Sequence, residues 1–127
     1  EKKIKSIPLK VSAPFHCSLM KPAAEKMKDK IKNINFNKPS IDIINNVTAK
    51  SEKDAEIIKK LLIEQIYSTV KWRESIINIS NMGISNYIEI GPGKVLTGMV
   101  KRTINNAKCF SINSIADIKN LQDELKK

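Results

Sequence analysis

Apolar residues recur at three- and four-residue spacing in several parts of the chain, which is typical of α-helices with one buried face. The helices predicted in this way cover about residues 19–32, 53–67, 71–82, 95–104 and a short segment from residue 116. Ser51 with Asp54 three residues later indicates an N-terminal capping signal for the second helix. Gly83 suits the C-terminal stop of the third helix.

Two of these helices have specific predicted buried faces. In the second helix, Ile57 and Leu61 are expected to face the core, and the further candidates are Ile58, Leu62 and Gln65. The third helix is expected to bury Trp72, Ile76, Ile79 and Met82.

Short apolar runs of strand length alternate with the helices. They cover residues 7–11, 41–44, 87–90 and 109–112. Pro8 confines the first run to a sheet edge or to the start of a strand. Strands that alternate with helices predict βα units and a mostly parallel sheet. We therefore expect an α/β fold with a partial parallel sheet flanked by helices, as part of a larger sheet.

Composition and charge narrow the function classes. The formal net charge is +10, but lysines are spread along the chain and interleaved with acidic residues, as in residues 53–60. Aromatic residues make up 5% of the sequence. They are not interspersed among the basic residues, as they would be in a surface that stacks on nucleic-acid bases. We interpret the lysines as residues of solvated helix faces, and no nucleic acid partner is predicted.

No apolar run in the sequence approaches the roughly 20 residues that span a bilayer. The chain begins without methionine, and we expect it to be part of a longer protein.

The inventory of sulfur and imidazole side chains argues against a structural metal site. Cys17 and Cys109 lie far apart, and His16 is the one histidine in the sequence, so a zinc site would lack ligands. Reduced thiols in an intracellular compartment are the simplest interpretation. We predict cytoplasm if the source is bacterial and a plastid or apicoplast-like organelle if it is an AT-rich eukaryote.

His16 is the strongest candidate for chemistry because histidine titrates near neutral pH and exchanges protons there. It lies on the predicted turn 12–17, after a strand and before a helix, where catalytic histidines are often found. A lone histidine is nevertheless more often a surface or capping residue. Cys17 is adjacent to His16, but a Cys–His nucleophile is not expected, because neighbouring residues cannot readily align their side chains for proton transfer.

The GPGK sequence at 91–94 is either a tight turn or a phosphate-binding turn at a helix N-terminus, and the tight turn is favoured.

Four sequence blocks occur in the order found in one enzyme family. They are VSAPFHCSLMKPAAEKM (11–27), IINNVTAK (43–50), IEQIYSTVKW (63–72) and IEIGPGKVLTGMVKR (88–102). Together these blocks closely resemble malonyl-CoA:acyl carrier protein transacylases. They resemble the acyltransferase domains of fatty acid and polyketide synthases more loosely. The resemblance covers nearly the whole chain after about residue 7.

The resemblance implies a ping-pong transfer of malonyl from coenzyme A to the phosphopantetheine thiol of acyl carrier protein, through a serine ester. His16 matches the family's catalytic base, and Gln65 matches the residue whose main-chain carbonyl orients the imidazole. Phe15 matches a position where, in the synthase acyltransferase domains, a phenylalanine accompanies selectivity for malonyl, although stand-alone bacterial enzymes often have serine there. A core anchor beside the turn is the equal alternative. Asn45 and Asn46 match the NNV block and are interpreted mainly as turn residues.

The resemblance also shows what this sequence lacks. The serine elbow, the arginine for the malonyl carboxylate and an upstream glutamine do not occur here, and in the family they precede the histidine segment. Residues 1–11 would be the last strand of a ferredoxin-like small subdomain, and 12–127 the C-terminal part of the acyltransferase core. The implied partners are malonyl-CoA, acyl carrier protein and the missing N-terminal half. No resident cofactor, metal or membrane is expected. Alone, the chain should be inactive. The alternative is a non-catalytic basic module that docks acyl carrier protein.

Overall fold

The computed structural model describes residues 12–126. The predicted strand 7–11 and the assignment of 1–11 to a small subdomain lie outside the described residues. Helices and strands alternate along the rest of the chain, as the hydrophobic pattern predicts. The helices are α1 (Lys21–Lys32), α2 (Ala55–Glu64), α3 (Trp72–Asn81), α4 (Val95–Thr103) and α5 (Ile115–Leu125). The strands are β1 (Ile43–Ile44), β2 (Ser51–Glu52), β3 (Asn86–Ile90) and β4 (Lys108–Ile112).

The parallel sheet is a βα unit formed by β3, α4 and β4. The two strands pair in parallel from Asn86 opposite Lys108 to Ile90 opposite Ile112. Helix α4 connects them and packs against both, while α3 packs on α4 and α5 packs on β4. The predicted strands at 87–90 and 109–112 are thereby confirmed.

The prediction of a buried strand at 41–44 is wrong, because the observed strand is shorter and largely exposed. Only Ile43–Ile44 forms a strand, and it pairs antiparallel with β2, a strand that the sequence pattern does not predict. Ile41 is 74% exposed, and Ile43 also lies at the surface of the described residues. The chain reverses immediately after Ile44, so this apolar run becomes one arm of a short hairpin.

Helix α2 begins later than its predicted capping signal. Asp54 is the N-cap, and its side chain accepts hydrogen bonds from the main-chain N–H groups of Glu56 and Ile57, at 2.9 and 3.0 Å. The predicted role of Ser51 is wrong, since Ser51 lies in β2 and its hydroxyl is hydrogen-bonded to Asp42.

The buried face of α2 is rotated from the predicted one. Leu61 is buried as expected, but its partner on this face is Ile58, and Ile57 is 45% exposed. The reason is that α2 packs against α1, whose buried residues are Ala24 and Ile31.

Lys59 ties these two helices together at the C-terminal end of α1. Its ammonium group donates hydrogen bonds to the main-chain oxygens of Lys32 and Ile34, both at 3.2 Å. The same group lies 5.6 Å from the centre of the Phe36 ring. A cation suits this position because main-chain carbonyls at a helix C-terminus carry partial negative charge.

An apolar face of the sheet stays open in the part of the chain that the structure describes. On β3 the exposed fractions are 46% for Ile88 and 81% for Ile90. Val95 and Ile115, at the starts of the following helices, are 70% and 78% exposed. Isolated exposed apolar residues are ordinary, but Ile88 and Ile90 share one face of β3, and grouped apolar residues indicate a surface that another structure covers. None of the helices within residues 12–126 combines the length and the apolar character that crossing a membrane requires.

Replacing the N-cap of α2 tests this description of the helix start. Asp54→Ala leaves the N–H groups of Glu56 and Ile57 without their acceptor, and we expect a loss of about 1 kcal/mol in the free energy of unfolding. Urea unfolding of the variant and the wild type measures the difference. Asp29→Ala, which removes an exposed aspartate from within α1, is the matched control and should cost little. An equal loss in both variants would contradict the cap.

Candidate active site

The turn that carries His16 has an unusual backbone. His16 has a φ of 58°, in the left-handed region that residues other than glycine rarely adopt. The turn is held on both sides, since Phe15 N–H donates to the Ala13 oxygen at 2.9 Å and Met20 N–H donates to the Cys17 oxygen at 3.0 Å. Such conformations are concentrated at functional sites, where the surrounding structure maintains them.

The imidazole of His16 is joined to the end of α2. Its Nδ1 lies 2.8 Å from the main-chain oxygen of Gln65, the residue that follows the last turn of that helix. Carbonyls at a helix C-terminus have no partner within the helix, so this oxygen is available as an acceptor. The structure thus brings together the two residues that the resemblance pairs, although 49 positions separate them.

This contact fixes the tautomer of His16. A carbonyl oxygen only accepts hydrogen bonds, so the proton of the neutral imidazole must reside on Nδ1. Nε2 then carries the free lone pair and can accept a proton from a substrate or a nucleophile. The accepting oxygen also carries part of the partial negative charge of a helix C-terminus. An imidazole held in this way has the arrangement that a general base requires, without a carboxylate partner.

Asn46 contacts this arrangement through a side chain that the sequence pattern assigned mainly to a turn. Its Nδ2 donates to the Oε1 of Gln65 at 3.0 Å, and its main-chain oxygen accepts from Lys71 N–H at 2.8 Å. Asn45 does act as a turn residue, because its Oδ1 accepts from the N–H groups of Val47 and Thr48 at 3.1 and 2.9 Å. The shared NNV block was the available signal, but it could not distinguish the two asparagines.

The loop after Asn46 is also anchored to α3. Ala49 is buried and has a φ of 57°, and its main-chain oxygen accepts a hydrogen bond of 2.9 Å from Asn78 Nδ2. The segment opposite Gln65 is therefore held at both of its ends, by a local turn and by a neighbouring helix.

Phe15 precedes His16 in the chain and is 57% exposed among the described residues. It is therefore not buried as a core anchor by residues 12–126, and its ring is accessible next to His16. The thiol of Cys17 donates to the Pro14 oxygen at 3.1 Å and takes part in the turn itself.

Side chains of the protein itself accept hydrogen bonds from the main-chain amides of the glycine turn at 91–94 and of the start of α4. Glu89 accepts from the N–H groups of Leu96 and Thr97, at 3.1 and 2.8 Å, which are the amides that a phosphate at this helix N-terminus would need. Gly93, with a φ of 96°, donates its N–H to Asn113 Oδ1 at 2.8 Å. These contacts support the turn interpretation. Within residues 12–126 there is no group of three or more His, Cys, Asp or Glu side chains able to hold a metal.

Comparison with curated sequences identifies relatives along most of the chain. It is 39% identical over 121 residues to the malonyl CoA-acyl carrier protein transacylase of Haemophilus influenzae, covering 95% of this chain and 39% of that protein. It is 43% identical over 109 residues to the Bacillus subtilis protein of the same name, covering 86% of this chain and 34% of the relative. No protein-family model matches the chain. The chain aligns with the C-terminal portion of these relatives and spans well under half of their length.

Solved structures give the same result for the fold. An acyl carrier protein S-malonyltransferase from Vibrio cholerae superposes with a TM-score of 0.86 at 42% identity, over 92% of this chain and 38% of that one. A type II PKS acyl-carrier protein in complex with its malonyl-transacylase provides a second match, with a TM-score of 0.85 at 40% identity, over 93% and 38% of the two chains. The predicted resemblance and the predicted α/β fold class are both confirmed.

The role of Glu89 at the start of α4 predicts a pH dependence of stability. Hydrogen bonds from the Thr97 side chain and from the main-chain amides of Thr97 and Leu96 hold the pKa of Glu89 below its ordinary value of 4.5. The stabilisation is then fully present above about pH 4.5 and is lost as the pH falls through the lowered value of the folded state.

Glu89→Gln should therefore lower the melting temperature by about a few degrees near neutral pH, and this difference should shrink towards about pH 3. Thermal unfolding across this pH range measures it. Glu25→Gln, at an exposed position of α1, is the control and should show little difference at any pH. A Glu89→Gln difference that grows as the pH falls would contradict the assignment.

Proposed function

We propose that this chain, which is related along most of its length to the C-terminal portion of the malonyl-CoA:acyl carrier protein transacylases, supplies the catalytic base of such an enzyme. The reaction is the transfer of malonyl from malonyl-CoA to the phosphopantetheine thiol of acyl carrier protein, as part of fatty acid biosynthesis. The nucleophilic serine belongs to a portion of the enzyme outside this sequence.

Each half of the reaction uses His16 in the same way. Nε2 takes the proton of the serine hydroxyl as the serine oxygen attacks the thioester carbonyl of malonyl-CoA. Collapse of the tetrahedral intermediate breaks the C–S bond, and the imidazolium protonates the departing coenzyme A thiolate. Nε2 then takes the proton of the phosphopantetheine thiol, whose sulfur attacks the serine ester. The serine oxygen leaves and regains its proton from the imidazolium. A serine hydroxyl is a poor nucleophile without such a base.

The observation that carries this proposal is the hydrogen bond between His16 Nδ1 and the Gln65 oxygen. It holds the imidazole in the tautomer that leaves Nε2 as the proton acceptor. A histidine that only capped a helix or faced solvent would have no need of a left-handed backbone and a fixed ring.

The open apolar face suggests where the remainder of the enzyme packs. Ile88 and Ile90 are exposed on β3, and the relatives are more than twice as long as this chain. We place part of the missing N-terminal half against this face, where it would cover the exposed apolar side chains. The chain alone would be inactive for lack of the nucleophile.

The proposed chemistry needs no resident cofactor, because malonyl-CoA is a substrate and phosphopantetheine arrives on acyl carrier protein. Both partners are intracellular molecules, so the proposal includes an intracellular location. Cytoplasm is proposed for a bacterial source and a plastid-like organelle for an AT-rich eukaryote.

Intact-protein mass spectrometry of the longer protein with malonyl-CoA tests the proposed function. We expect a malonyl adduct on a serine, which disappears when acyl carrier protein with its phosphopantetheine is added. His16→Ala should reduce adduct formation by roughly 10²–10⁴-fold, since it removes the general base. Gln65→Ala should have a smaller effect because it keeps the main-chain oxygen. Absence of any adduct on the wild-type protein would contradict the transferase proposal and favour a module that only docks acyl carrier protein.

Phe15 is proposed to favour malonyl by occupying the space that an α-methyl group needs. Phe15→Ser should lower the ratio of kcat/KM for malonyl-CoA to that for methylmalonyl-CoA, by about 10-fold and at most about 200-fold. Phe15→Leu retains most of the bulk and is the matched control, expected to stay closer to the wild type. Comparable turnover of the two substrates by the wild-type enzyme would remove this role.

A further inference from the structure

We propose that Asn46 is a positioning residue for His16 and acts through the side chain of Gln65. The proposal rests on the proposed function, because it assigns a role within the same site. It goes beyond the carbonyl contact by identifying what holds the residue that supplies the carbonyl.

Asn46 connects the two ends of the segment between α2 and α3. Its Nδ2 donates to Gln65 Oε1 at 3.0 Å at the C-terminal end of α2. Its main-chain oxygen accepts from the N–H of Lys71, the residue before α3, at 2.8 Å. The intervening residues form single turns, with Ile66 N–H donating to the Ile63 oxygen at 3.2 Å. One residue therefore clamps both the start and the finish of this connection.

The clamp matters because the critical acceptor lies at a helix end. The terminal residues of helices fray, and the direction of their carbonyls changes when they do. The carbonyl of Gln65 determines the position of the His16 ring, which is otherwise exposed. A displacement of about 1 Å in a catalytic group can reduce the rate by about 10²-fold. Fixing the side chain of Gln65 fixes its main chain in the orientation that the imidazole needs.

The position of Asn46 makes the contact costly to lose. Both Asn46 and Gln65 are half-buried, and the hydrogen bond between them is partly buried. Removing either partner leaves a polar group with reduced access to water. Asn45 offers a contrast in the same turn, since its side chain bonds to Val47, Thr48 and Lys50.

Steady-state kinetics of the longer enzyme, with malonyl-CoA and acyl carrier protein as substrates, test the proposal. We expect Asn46→Ala and Gln65→Ala each to lower kcat about tenfold, with little change in KM for malonyl-CoA. The double variant should also lose about tenfold rather than about 100-fold, because the two residues act through one contact. Gln65→Glu keeps an acceptor oxygen for Asn46 Nδ2 and should lose less of kcat than Gln65→Ala does.

Asn45→Ala is the matched control. It removes the same side chain from the adjacent position, where that side chain makes no hydrogen bond to Gln65, so it should lower the melting temperature while lowering kcat less than Asn46→Ala does. This variant separates a positioning role from a general loss of stability. If Asn46→Ala does not fold, the comparison of Gln65→Ala with Gln65→Glu tests the same contact from the other side.

The proposal is overturned by a wild-type kcat in Asn46→Ala or Gln65→Ala, by multiplicative losses in the double variant, or by equal losses of kcat in Asn45→Ala and Asn46→Ala. These results would leave the proposed function intact as long as the wild-type enzyme transfers malonyl and His16→Ala does not. A wild-type enzyme that forms no malonyl adduct would instead refute the proposed function, and the positioning role with it.

Discussion

The hydrogen bond from the imidazole of His16 to the main-chain oxygen of Gln65 is the constraint on which the proposed chemistry depends. It joins the turn before α1 to the end of α2 and determines which ring nitrogen is free. The acceptor is a carbonyl that the helix itself cannot use. The site therefore depends on the path of the backbone at the end of α2 more than on the identity of one side chain.

Three side-chain contacts hold the ends of α1 and α2. Asp54 caps the start of α2, Lys59 binds the carbonyls at the end of α1, and Asn46 holds Gln65. Of these three contacts, the one made by Asn46 is with the residue whose carbonyl meets the imidazole. In the proposed enzyme, the end of α2 is thus part of the catalytic geometry through the carbonyl of Gln65.

In contrast to the turn around His16, the parallel sheet has apolar side chains that the described residues leave exposed. His16 is held by its hydrogen bond to Gln65, while Ile88 and Ile90 on β3 remain exposed. Exposed apolar residues on the sheet are consistent with relatives that are more than twice as long as this chain.

The sequence by itself determined the order and type of the helices, the strands of the parallel pair, and His16 as the candidate base. Helical periodicity and contiguous motifs are local properties, so they can be read without knowing the packing. The resemblance added the pairing of His16 with Gln65. Only the tertiary structure decided that Ile58 rather than Ile57 is buried and that Glu89 caps α4. It also decided that Asn46, unlike its neighbour Asn45, reaches Gln65 across 19 positions. Such contacts depend on where packed elements direct their side chains, and no local pattern encodes that direction.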